Sequence, residues 1–133
     1  MSIGKKILFT VSGIALLMAC ANTTVQAQRV SKVKAADFLQ LCQKSQTVRA
    51  CNIYISGIAD SVAFSKVYAK NEGDPKAPAG FCIDPSVSGN EMRQKVIDYM
   101  KTHPDQLNQP AGATVFSALH ESYPCKNASV GVR

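Results

Sequence analysis

The chain has 133 residues, enough for one domain with a modest core, and carries 15 Lys and Arg against 9 Asp and Glu, a net charge of +6. The basic residues are scattered, both signs are mixed, and no aromatic residues alternate with them, which argues against a nucleic-acid footprint. Two histidines and five cysteines are a thin supply for a catalytic or metal-binding constellation.

Lys5 and Lys6 precede an apolar run from Ile7 to Ala19. This matches the basic and apolar regions of a secretory signal, and the run falls short of the roughly 20 apolar residues that a membrane span needs. Val25-Gln26-Ala27 places small residues at −3 and −1, so cleavage is expected after Ala27 and 1–27 is read as a signal peptide. Leu17-Met18-Ala19-Cys20 is a competing lipoprotein-type box with Met as a poor fit at its second position. Lipidation of Cys20 stays open, and only that would tie the mature chain to a membrane. Loss of 1–27 removes Lys5, Lys6 and Cys20 and lowers the net charge from +6 to +4.

Four cysteines then remain: Cys42, Cys51, Cys82 and Cys125. An even number in a small exported chain reads as a disulfide framework. Their spacings of 9, 31 and 43 fit no zinc signature. No Cys-x-x-Cys exists, which argues against a thioredoxin-like redox site. Arithmetic alone leaves three connectivities open.

Residues 28–34 read as a flexible arm. The first helix is expected over 35–44, with Asp37 favourable in its first turn and Phe38, Leu41 and Cys42 on one face. After a short connection the second helix spans 49–70. Cys51, Tyr54, Ile55, Ile58 and Val62 recur every three or four residues, with Ala69 further along and Phe64 and Val67 beside them. Gly57 within this pattern costs about 1 kcal/mol against Ala, which points to close packing of a second helix there, with Asp60 on the same side.

Residues 71–80 are rich in Gly and Pro and cannot continue the helix. Phe81-Cys82-Ile83 is a brief apolar anchor. The third helix opens at Ser88, where Ser88-Gly89-Asn90-Glu91 fits a capping box. Met92, Val96, Tyr99 and Met100 form its stripe, and His103-Pro104 ends it. Residues 103–109 read as a second polar loop. The fourth helix starts near Pro110, aligns Ala111, Val115, Ala118, Leu119 and Ser122 with Phe116 alongside, and stops at Tyr123-Pro124-Cys125. The polar tail 126–133 is expected to be disordered, and its Asn127-Ala128-Ser129 sequon carries little weight.

The reading is all-α: a small four-helix domain over 35–125. Short connections favour antiparallel neighbours. Cys42 closes the first helix and Cys51 opens the second, while Cys82 precedes the third and Cys125 follows the fourth. Antiparallel hairpins therefore pair Cys42 with Cys51 and Cys82 with Cys125, two stapled hairpins in all.

Little chemistry is present. His103 reads as a helix-ending residue. His120 has Glu121 beside it but no nucleophile. Asp60 and Asp98 have no fixed relation, and no glycine-rich phosphate loop exists. Neither enzyme activity, a cofactor nor a metal is expected. A stapled, exported helical domain of this kind is read as a binding protein, working through loops on a rigid scaffold. The alternatives are a small acid-activated periplasmic chaperone, or another periplasmic binding module.

Cys51-x-x-Tyr54-x-x-Gly57-x-x-Asp60, then Phe81-Cys82-Ile83, His103-Pro104-x-x-Leu107, Ala118-Leu119 and Tyr123-Pro124-Cys125 together resemble the type VI amidase immunity (Tai/Rap) family over roughly 35–125. The resemblance implies a periplasmic, helical, disulfide-bonded and often dimeric protein. It implies a partner as well, a cell-wall amidase delivered by a type VI secretion system and blocked by a loop between helices. The counterpart here is the connector His103, Pro104, Asp105, Gln106, Leu107, Asn108 and Gln109. The Tyr54, Gly57 and Asp60 motif is expected to support packing.

Overall fold

A computed structural model describes residues 31–125. The expectations for the signal peptide, Cys20, residues 28–30 and the tail lie outside that range. Four helices follow in order: α1 (Ala35–Gln43), α2 (Val48–Asn71), α3 (Gly89–Thr102) and α4 (Ala111–Ser122). Two 3-10 turns, Ser45–Thr47 and Pro104–Asn108, link α1 to α2 and α3 to α4.

The helix ends follow local chemistry. Ser88 caps α3 by accepting the Glu91 amide at 3.1 Å. Among the described residues no return bond from Glu91 to the Ser88 amide forms, so half of the expected capping box is present. Pro104 stands at the first position of its 3-10 turn, where a missing N–H costs nothing. Pro110 caps α4 from just outside it.

The core lies where the apolar stripes of the four helices meet. Phe38 and Cys42 of α1, Cys51 and Ile55 of α2, Val96 and Met100 of α3, and Val115 and Leu119 of α4 are all buried. Full burial of each large aliphatic side chain contributes about 1.5–3 kcal/mol. Both disulfides pair as the helix order predicts, Cys42 with Cys51 and Cys82 with Cys125. The first joins the end of α1 to the start of α2, and the Phe38–Tyr54 ring contact at 4.6 Å continues the same antiparallel hairpin.

Three sequence expectations need correction. The arm is tied at its end: the Ala111 amide donates to Val33 O at 2.8 Å and the Ala35 amide to Gln109 O at 2.9 Å, an antiparallel bridge between Lys34 and Pro110. Phe64 and Val67 are not beside the core but on the opposite face of α2, at 71% and 56% exposure. Gly57 receives no second helix of this chain, because nothing lies within 4 Å of where its Cβ would stand. The reason is the helix period: at 3.6 residues per turn Gly57 and Phe64 fall on the far side of α2 from buried Ile55, the side the other helices do not touch.

Candidate functional site

Three surfaces are available for binding. The first is the connector between α3 and α4, which is a fixed turn rather than a loose loop. His103 caps α3. Its ring stacks on Tyr99 at 4.0 Å, and Nδ1 lies 2.9 Å from the Tyr99 carbonyl oxygen, which accepts its proton. Leu107 points inward onto the core. The amide of Gln106 donates to His103 O, and that of Gln109 to Gln106 O, both at 3.0 Å. Buried Thr114 reaches the carbonyl oxygens of Pro110 and Gln106 with its hydroxyl. Pro104, Asp105, Asn108 and Gln109 stay exposed. Of the seven connector residues, then, His103, Gln106 and Leu107 are half-buried supports and the other four form the presented surface. That surface offers a carboxylate and amides and holds no nucleophile.

The second surface is the outer face of α2. Arg49, Ile53, Gly57, Phe64, Val67 and Tyr68 share it, opposite buried Cys51 and Ile55, with Asp60 at its edge toward the strap. Of the Tyr54, Gly57 and Asp60 motif, only Tyr54 packs inward, against Phe38 and beside Gly112. Sequence reasoning merged two apolar faces into one. The separating signal is present: 53, 57, 60, 64 and 67 alternate steps of four and three, a second stripe running parallel to the first.

The third surface is the strap from Glu72 to Val87. Gly80 crosses under Phe116 so closely that an added Cβ would stand 2.4 Å from the ring. Nδ1 of His120 donates to the Gly80 carbonyl. Asp84 Oδ1 accepts from the amide of Ser86 at 2.9 Å and from its hydroxyl at 2.6 Å, and these bonds hold its carboxyl below the ordinary aspartate range. The Tyr123 phenol is pushed up by burial and then by the negative charge of Glu91.

His103, His120, Asp60 and Asp98 are not gathered into one site: His103 bonds to Tyr99, His120 to Gly80 and Asp98 to Gln94. Among the described residues no group of three His, Cys, Asp or Glu side chains is placed to hold a metal ion. No described helix is long and apolar enough to cross a membrane.

A two-hairpin helical frame, cross-linked by disulfides and presenting a fixed polar turn, is the frame of a binding protein. The model of the Rap1a immunity protein family matches residues 34–125, from the last residue of the arm to the last cysteine, and the chain belongs to that family. Membership implies a secreted effector as binding partner. No curated protein and no solved structure matches the chain.

Proposed function

We propose that this chain is a periplasmic immunity protein that binds and inhibits a peptidoglycan amidase delivered by a type VI secretion system. The observation that carries the reading is the family match over the whole disulfide-stapled domain. Two disulfides suit an oxidising compartment, in keeping with the signal-like start. The presented side of the connector, Asp105, Asn108 and Gln109, is the surface that enters the amidase cleft. It works by obstruction, since a turn fixed before binding loses little entropy on docking. The test is co-purification of the mature protein with any amidase encoded beside its gene, followed by a peptidoglycan-hydrolysis assay. Inhibition is expected, and Asn108→Trp is expected to weaken it at least tenfold by breaking complementarity at the turn. A stable mature protein that neither binds nor inhibits that amidase refutes the reading.

The outer face of α2 supports a second copy of this chain as a further partner. Two α2 helices running antiparallel about a twofold axis near Asp60 and Ser61 bring Phe64 over the open hole at Gly57 and Tyr68 over Ile53. The same register sets Arg49 beside the partner's Glu72, once on each side of the axis. Sedimentation equilibrium is expected to show a dimer that Gly57→Leu and Phe64→Asp each convert to monomer with helicity intact. A monomeric wild-type protein at about 100 μM, well above the Kd of a stable dimer, refutes this pairing.

A further inference from the structure

The strap does not lie flat on α2. At its near end the Lys66 ammonium donates to the carbonyl oxygens of Pro75 and Ala77. In its middle the Cys82–Cys125 disulfide and the 2.9 Å bond from the Cys82 amide to Tyr123 O draw it toward the end of α4. At its far end the turn of Asp84 and Ser86 and the 3.0 Å bond from the Val87 amide to Asp84 O lead into α3. Both walls are thus held independently, one by the core and one by these ties.

Between them lies a slot of about 510 Å³. Ala59, Val62 and Ala63 form the α2 wall, Phe81, Ile83 and Val87 the strap wall, and Met92 belongs to the lining as well. Asp60 and Asp84 also line it and are exposed to solvent. Lys66 is the one cation among the lining residues, and its donors are turned to the Pro75 and Ala77 carbonyls. The slot therefore combines apolar walls with a net negative mouth, on a chain whose overall charge is positive.

We propose that this slot receives a lysine or arginine side chain of the secreted effector, its aliphatic stem on Val62, Ala63 and Phe81 and its cationic head at the carboxylate of Asp84. Long basic side chains bury their methylenes and keep the charge at the rim, and charge-assisted bonds to a carboxylate are the stronger kind. Basic anchors seated in preformed pockets are frequent centres of binding energy. The inference rests on the immunity reading for the identity of the partner, and it adds a contact region apart from the connector.

Two measurements test it. The first uses n-butylguanidinium as probe, followed by amide chemical shifts. Saturable shifts at Val62, Ala63, Ile83 and Asp84 are expected at millimolar probe. Ala63→Phe, which fills the slot from an exposed position, abolishes them, and Asp84→Asn weakens binding about threefold. Pentanoate leaves the same amides unmoved. No shift, or equal shifts with pentanoate, overturns the proposal. The second compares amidase affinity of the wild type and Ala63→Phe, with a loss of about tenfold expected. Equal affinities overturn the slot and leave the immunity reading standing, whereas failure of the wild type to bind the amidase removes both.

Discussion

Val48–Ile58 and Ala59–Asn71 belong to one uninterrupted helix, yet they are held by different means. The first half carries Cys51 and Ile55, both fully buried, and is cross-linked to α1. The second half contains no fully buried residue and exposes Phe64, Val67 and Tyr68. Its inner side faces the strap across the slot, with Lys66 tying the two together. Apolar content is similar in the two halves. What differs is what lies against the inner side, helices in the first half and the strap in the second, so only the first half is core.

That contrast can be broken most directly at its two ends. Ile55→Ala is expected to cost about 3 kcal/mol, since it opens a cavity among packed side chains. Phe64→Ser is expected to change the stability of the monomer by less than about 0.5 kcal/mol. Urea unfolding of both variants, at concentrations low enough to keep the chain monomeric, measures the gap. Similar costs would mean that the far half is packed after all. Next in size is Lys66→Met, which removes two charge-assisted bonds and is expected to cost about 1–2 kcal/mol. Hydrogen exchange would show faster opening in 62–78 and unchanged protection around Cys51. The smallest effect belongs to Asp84. Its carboxyl is held below the ordinary value, so its contribution is complete above the ordinary aspartate range and is lost as pH falls through the lowered one. The fall in melting temperature between about pH 6 and about pH 3 is therefore expected to be slightly smaller in Asp84→Asn than in the wild type.

Much of the architecture could be read from residues whose chemistry is local. Ser88, Pro104, Pro110 and Pro124 mark helix ends because capping and the missing proline N–H act within one turn. The cysteine pairs followed once the helix order was known. The rest depended on distance. Nothing near Lys34 says that Pro110 lies alongside. The connector was recognisable as a segment, but part of its rigidity comes from outside it, from Thr114 on Gln106 and Ala35 on Gln109. The slot beneath the strap has no sequence signature, because its shape depends on ties between the strap and Lys66, Tyr123 and Cys125, which lie far apart in the chain.

The bridge between Lys34 and Pro110 also decides which way the domain faces when it is held. The chain enters beside the Pro104–Asn108 turn, whereas it leaves past Cys125, at the opposite end of α4. A support grasping the entering segment keeps the turn turned inward and displays the Cys82–Cys125 pole. Grasping the leaving segment displays the turn. The choice of handle therefore selects which pole a partner meets first.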